Sequence, residues 1–282
     1  MSKNREEPLN NLDINTVKSF GEEWSRYDQT ELKYEEAEKY FNDYFAVFPW
    51  EMINTESVGF DMGCGTGRWA RLFADKVKLL NCIEPSKAIN VAKKNLGYKK
   101  NLCFINGDAN NSGLELNSQD FGYCLGVLHH IPNTQEAINA CVRLLKPGAP
   151  FLVYIYYFFD DKPGWYKKIW IFSNILRKLI SKMPRRLKQY STDLIALTIY
   201  LPMARLAKLL ENLSVPLNKI PLSYYRNSSF YTMRTDSLDR FGTPLEKRFK
   251  KSKIQDMLKK AGLKDINFSN SAPYWCCVGY KK

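Results

Sequence analysis

The sequence predicts an α/β fold: a doubly wound, mostly parallel sheet of seven strands, with an N-terminal helical lead-in and a helical insertion before the last helix. Three observations carry this. Short apolar runs alternate with helical stretches from Val58 to Tyr157, the pattern of βαβ units. A glycine-rich turn stands at the first strand-to-helix junction. Two strand-like runs close the chain after a long stretch without strand pattern.

Residues 12–50 show no strand alternation but many aromatics, and Glu31 to Phe45 combines helix formers with an apolar stripe, so residues 1–50 read as a helical lead-in. Strands are expected at 58–61, 78–84, 101–105, 121–126 and 150–157, with helices at 67–75, 86–95 and 134–145. Pro163 then opens a long apolar and basic helical stretch that Pro184 and Pro202 interrupt, and residues 158–246 form an insertion or substrate cap. Lys250 to Ala261 reads as a helix closed by Gly262, and the runs 264–269 and 274–280 form an antiparallel pair turning at Asn270 to Pro273. The core therefore comprises 51–157 and 247–282.

Of 282 residues, 45% are hydrophobic, enough for a sizeable core and against intrinsic disorder. The seven cysteines contain no C-x-x-C pair and sit mostly in apolar runs, which fits a reducing compartment. With only His129 and His130 in the chain, and no zinc-ligand spacing among the cysteines, no metal site is expected. Met1 to Asn11 is polar and lacks the apolar segment of a signal peptide, so a cytoplasmic location is expected.

The 42 Lys and Arg residues exceed the 29 acids by +13, and residues 162–220 alone hold twelve basic residues against two acids. Within Trp165 to Met183, positions 165, 169, 172, 176, 179, 180 and 183 share a helical face, with Lys167, Arg177, Lys178 and Lys182 largely opposite. Two readings follow. The helix either lies on an anionic membrane, giving peripheral contact at the inner membrane surface through 165–183, or its stripe covers the mouth of the site while the lysines face water. The apolar run Leu194 to Leu201 is too short to span a bilayer.

The sharpest local signal is Val58-Gly59-Phe60-Asp61-Met62-Gly63-Cys64-Gly65-Thr66-Gly67. Glycines allow a tight turn and close approach of a ligand, and free N–H groups at a helix start favour a polar or anionic group. The spacing G-x-G-x-G differs from the dinucleotide G-x-G-x-x-G pattern. Glu84, seventeen residues past Gly67 at the end of the second strand, can accept hydrogen bonds from both hydroxyls of a ribose. Gly107-Asp108-Ala109 closes the third strand, again at a carboxyl end where open α/β sheets bind ligands.

These pieces resemble the class I S-adenosylmethionine-dependent methyltransferases of Rossmann-like fold, specifically the small-molecule enzymes of quinone biosynthesis. The matching segments are DMGCGTGR at 61–68, IEPS at 83–86, NGDA at 106–109, LGVLHHIPN at 125–133 and RLLKPGAPFLVY at 143–154, the family's KPGG being KPGA here. The resemblance implies S-adenosyl-L-methionine as cofactor, held by Asp61, Gly63, Cys64, Gly65, Thr66 and Gly67. It places Glu84 on the ribose, Asp108 with Ala109 at the adenine, and Gly126 beneath the sulfonium. Ser19 to Tyr27 is similar to the F-G-x-x-W lead-in of polysaccharide and natural-product methyltransferases, which implies a lid contacting the cofactor through Trp24 and Tyr27; a helix simply packed on the sheet is the alternative.

On the acceptor side, His129 follows the fourth strand and is the candidate base, since imidazole titrates near neutral pH; the alternative is a structural dipeptide packed beside the cofactor. Tyr154, Tyr156, Tyr225 and Arg240 are the candidate acceptor contacts. Arg226, Arg234, Arg240 and Arg248 would suit a phosphate or carboxylate on the acceptor, or else are solvated surface charges. The run Asp239 to Phe249 is expected to border the acceptor pocket. Gly126-Val127-Leu128-His129 lacks the acid or amide with Pro-Pro and an aromatic that family enzymes use to hold a base's exocyclic amine, which argues against nucleic acid. The expected activity is methyl transfer to oxygen or nitrogen of a small or lipid-linked metabolite, such as a sugar or natural-product intermediate. Quinone-ring carbon methylation and a non-catalytic cofactor-binding partner protein are the alternatives.

Overall fold

The computed structural model describes residues 11–159, 163–217 and 220–282, so the first ten residues of the expected lead-in lie outside it. Its sheet is built from β1 (Val58–Met62), β2 (Leu79–Ile83), β3 (Leu102–Ile105), β4 (Phe121–Leu125), β5 (Pro150–Tyr154), β6 (Leu263–Phe268) and β7 (Cys276–Lys281). The spatial order is β3-β2-β1-β4-β5-β7-β6. The first five strands pair in parallel, and β7 runs antiparallel to both neighbours. This is the doubly wound, seven-stranded sheet that the sequence predicts.

Alternation along the strands divides the core into two layers. Phe60, Met62, Phe151 and Val153 face one side, packing with Ile138 and Cys141 of α5 (Thr134–Leu144) and Leu258 of α10 (Lys251–Lys260). Phe121, Tyr123, Leu125 and Leu152 face the other, against Phe73 of α3 (Ala70–Phe73) and Ala92 of α4 (Ala88–Leu96). At the centre, Gly59 pairs with Phe121 and Phe60 with Gly122. A Cβ on Gly59 would stand 2.4 Å from the Phe121 ring, and one on Gly122 2.3 Å from Phe60, so each phenylalanine covers its partner glycine.

Two helices precede the sheet, α1 (Ile14–Arg26) and α2 (Tyr34–Tyr44). Asp13 caps α1 by accepting from Thr16 N–H. Phe41, Phe45 and Phe48 join Phe73 and Tyr123 in a continuous aromatic cluster that fixes α2 to the sheet. Each fully buried ring contributes about 1.5–3 kcal/mol of transfer free energy.

The insertion is helical, comprising α6 (Gly164–Ile180), α7 (Arg185–Ile195), α8 (Leu201–Asn212) and α9 (Phe230–Gly242) around a small core of Ile180, Tyr200, Ala204, Met233 and Phe241. Pro184 does end one helix and start the next. Pro202 does not interrupt: α7 continues through a π-helical turn, Ala196–Tyr200, directly into α8. The wider turn just before the proline absorbs its missing N–H and its ring, so the helix is preserved.

The apolar stripe of α6 does not cover the site. Trp165, Ile169, Phe172 and Leu179 are exposed, and only Ile180 of that stripe is fully buried. Arg177, on the face that the sequence places largely opposite that stripe, is buried, and its guanidinium donates to the Thr243 and Pro244 carbonyls. Among the described residues no helix is long and apolar enough to cross a membrane, and no cluster of His, Cys, Asp and Glu could hold a metal ion.

Candidate active site

The chain reverses direction on the sheet between β1 and β4, and the loops at the carboxyl ends of β1 to β5 converge there. After Met62 the backbone takes left-handed conformations at Gly63, Gly65 and Gly67, with φ of +78°, +54° and +80°. Only glycine adopts these without strain. A Cβ on Gly63 would also stand 2.4 Å from Val127. Gly63 and Cys64 donate their N–H groups to the Ile83 carbonyl, which ties the loop to β2.

Glu84 stands beside this loop at the end of β2. Its Oε2 accepts from Gly65 N–H at 3.1 Å and its Oε1 from Ser86 N–H at 3.0 Å. Burial pushes this carboxyl up, while the Ser86 and Gly65 donors pull it down. Asp108, past β3, accepts from the N–H groups of Asn110 and Asn111 at 2.8 and 3.2 Å, an Asx turn that sets its carboxylate at the rim. Gly126, past β4, has φ +82°, and the nearest atom to a Cβ there would be on Tyr154, 4.0 Å away. Unlike Gly63, it faces open space.

One cavity of about 570 Å³ joins these groups to the insertion. Gly63, Cys64, Gly65, Thr66, Glu84, Asp108, Ala109, Gly126, Trp24, Tyr154, Tyr156, Tyr225 and Arg240, all singled out from the sequence, line it. Four other candidates do not. Asp61 is buried beneath the loop next to Tyr123, and burial raises its carboxyl to about 8. Gly67 turns away, packing against Leu96. Tyr27 is drawn off to the insertion, donating its hydroxyl to Asp193 at 3.0 Å. His129 lies behind Tyr156, their rings stacked at 3.8 Å, and burial depresses its pKa well below the usual imidazole value. It is His130 that reaches the cavity wall, with its Nδ1 2.6 Å from the Leu245 carbonyl.

Residues 60–153 match the methyltransferase domain family. The chain carries a class I S-adenosylmethionine-dependent methyltransferase domain. Sterol 24-C-methyltransferase erg6 of Schizosaccharomyces pombe (strain 972) is 32% identical over 108 residues, which are 36% of this chain and 28% of that protein. The match thus spans less than a third of that curated relative. Among solved structures, a chain of the complex between the Haloferax volcanii Trm112 methyltransferase activator and a protein described as a methyltransferase aligns with a TM-score of 0.51. It is 12% identical, with 92% of this chain and 96% of that one covered, a likeness of fold. A protein described as a methyltransferase from Bacillus halodurans C-125 gives a TM-score of 0.49 at 14% identity, over 80% and 71% of the two chains.

The cavity of the methyltransferase domain fits its cofactor. Each Glu84 oxygen accepts one backbone N–H and retains capacity for a hydroxyl donor. The position beneath Gly126 is open, and the Trp24 indole closes over Gly65, 3.4 Å from where a Cβ would stand.

The wall opposite the methyltransferase loop comes from the insertion. Asp236 and Asp239 lie three residues apart on α9, hence on one helical face, and both line the cavity. Tyr156 donates its hydroxyl to Asp239 at 2.6 Å. Burial raises Asp236 to about 6, opposed by Arg68 and by a hydrogen bond from Tyr225. The sequence reading missed Asp236, although its three-residue spacing from Asp239 on a helix start-capped by Ser229 was a usable signal.

The arginines are not free to receive an acceptor's anion. Arg240 and Arg248 both donate at 2.9 Å to the buried Glu246, Arg234 pairs with Asp193, and Arg226 with Glu211. Burial favours a protonated Glu246, but the two guanidinium groups outweigh it and hold that carboxyl below its usual value. Asp239, Arg240 and Arg248 of the run 239–249 line the cavity.

Proposed function

We propose that this protein transfers the methyl group of S-adenosylmethionine to an oxygen or nitrogen atom of a small or lipid-linked acceptor held between the sheet and the insertion. S-adenosylmethionine, when bound, supplies an electrophilic methyl group on a sulfonium. Residues 1–50 act as the lid, 51–157 and 247–282 as the cofactor-binding core, and 158–246 as the acceptor cap. Glu84 holds the ribose, Asp108 and Ala109 border the adenine, and Gly63 and Gly65 give the amino-acid portion its cradle. Trp24 excludes water above the loop.

The observation that carries the acceptor side is the position of Asp236 in the same cavity as Glu84. With its carboxyl raised to about 6, Asp236 is ionised at neutral pH yet basic enough to accept a proton from a hydroxyl or ammonium group as the acceptor attacks. Tyr225 orients that carboxylate, and Tyr156, anchored by Asp239, with Tyr154 aligns the acceptor for in-line displacement. His129 is kept by burial as a packing residue behind Tyr156.

Carbon methylation of a quinone-like ring is the second reading, favoured by the aromatic walls Tyr44, Tyr154 and Tyr224. Methyl-labelled S-adenosylmethionine, incubated with the protein and an extract of cells lacking it, separates the two by mass spectrometry of the labelled product. An oxygen- or nitrogen-methylated product lost in Asp236→Asn supports the first reading, and a ring-methylated product overturns it. Tight cofactor binding without label in any fraction would favour a non-catalytic partner.

A further inference from the structure

The insertion buries a small core but leaves its larger apolar side chains on its outward side. The helix running from Arg185 to Asn212 turns Lys188, Thr192, Ala196, Tyr200, Ala204 and Ala207 inward. Its outward side carries Leu187, Tyr190, Leu194, Leu197 and Leu209, spaced as a stripe and all exposed, Leu194 by 60% and Leu209 by 57%. Helix α6 does the same: Arg177 and Ile180 face in, while Trp165, Ile169, Phe172, Ile175 and Leu179 face out, Phe172 by 64%. Both helices pack their inward sides on α9, and a four-residue turn, 181–184, joins them. Exposed apolar surface of this extent marks an interaction site.

Charge decides what covers it. The insertion segment 162–220 holds twelve basic residues and two acids. Lys168, Lys178, Lys182, Arg185, Arg186 and Lys208 are exposed and belong to the same two helices and their connecting turn. A symmetric contact with a second copy would bring these like charges together around the apolar stripes, which opposes it. An anionic lipid surface satisfies both features at once, with apolar side chains in the acyl boundary and ammonium and guanidinium groups at the headgroups.

We infer that the outward faces of α6 and of the α7–α8 helix form a docking surface for an anionic lipid bilayer. The surface also borders the site: exposed Trp165 adjoins Tyr166, which lines the cavity, as do Leu217 and Ile220 just beyond α8. Docking therefore brings the cavity's insertion side to the lipid phase. The inference concerns the surface and stands whether or not the proposed acceptor chemistry is right.

The test is flotation of the full chain with phosphatidylcholine vesicles and with vesicles of phosphatidylcholine plus phosphatidylglycerol. The protein is expected to float with the anionic vesicles, much less with the neutral ones, and less as salt rises. The variants Phe172→Glu and Leu194→Glu are expected to lose flotation, and Lys178→Glu with Lys182→Glu to reduce it several-fold. S-adenosylhomocysteine titration by calorimetry should be unchanged in all of them, showing an intact fold and reporting separately on the cofactor site. No flotation with anionic vesicles, equal flotation with neutral ones, retained flotation in both glutamate variants, or a lipid-free dimer dispersed by those variants would each overturn the inference.

Discussion

Asp193, on α7 of the insertion, accepts a hydrogen bond from the hydroxyl of Tyr27, the residue that ends α1, at 3.0 Å. The same carboxylate pairs with Arg26 from α1 at 2.5 Å and, through two contacts at 3.0 and 3.1 Å, with Arg234 from α9. Helix α1 is thereby tied to the insertion, and Trp24, one helical turn before Tyr27, is held over Gly65.

Replacing Asp193 with Ala leaves Tyr27 and two guanidinium groups without their acceptor and unties α1 from the insertion. Cofactor affinity is expected to fall several-fold by calorimetry, with stability down by about 1–2 kcal/mol once partial solvent exposure is allowed for. Burial favours the protonated Asp193, but bonds from Arg234, Arg26 and Tyr27 outweigh it and lower the pKa below 3.8. Its stabilisation is therefore full above the unfolded-state value and is lost only as pH falls through the lower folded value. Wild type and Asp193→Ala should accordingly differ in denaturation midpoint at pH 7, and the gap should close in strong acid.

Asp236 titrates the other way. Burial raises it from 3.8 to about 6, so the folded state binds this proton more tightly than the unfolded chain. Stability falls as pH rises from about 4 to about 6. Asp236→Asn removes that loss, and its melting point should exceed the wild-type value at pH 7 by an amount equivalent to roughly 3 kcal/mol, converging near pH 4. Its kcat should drop by at least about 100-fold if the carboxylate takes the proton. In the wild type, kcat/KM should fall below about pH 6. A flat profile there would remove Asp236 from the mechanism.

Glu84→Ala deletes the acceptor for Gly65 and Ser86 N–H as well as the proposed ribose contact. A charged hydrogen-bond acceptor is worth about 1.5–3 kcal/mol, so S-adenosylhomocysteine binding is expected to weaken by roughly 10- to 100-fold in calorimetry. Glu84→Gln, which keeps an oxygen for one donor, should fall between. Unchanged affinity in the alanine variant would move the cofactor site elsewhere.

The glycines of the sheet and of the site separate stability from function. Gly122→Val forces a side chain to within 2.3 Å of Phe60 and should unfold the domain or lower its melting point steeply. Gly126→Ala meets no atom closer than 4.0 Å and carries only the strain of φ +82°, about 1–2 kcal/mol. Its added methyl enters the cavity, so cofactor binding should suffer more than stability. Circular dichroism melts beside ligand titrations distinguish the two losses.

The order of strands and helices, the antiparallel closing pair, the glycine loop and the positions of Glu84 and Asp108 were legible in the sequence. They rest on local causes: alternation with period two, glycine where φ must be positive, and strand ends that a parallel sheet gathers at one edge. What the tertiary structure decided depends on which groups are brought together from distant segments. Tyr27 became a tether because Asp193, far along the chain, offers an acceptor. His129 became a packing residue because Tyr156 lies over it, and Asp236 reached the cavity because α9 folds back over the sheet's carboxyl edge. The direction of the insertion's apolar stripes was likewise undetermined by periodicity, since spacing identifies a face but not what it touches. Burial and pairing are properties of the assembled fold, and they assign the charges and the apolar faces that a linear pattern leaves open.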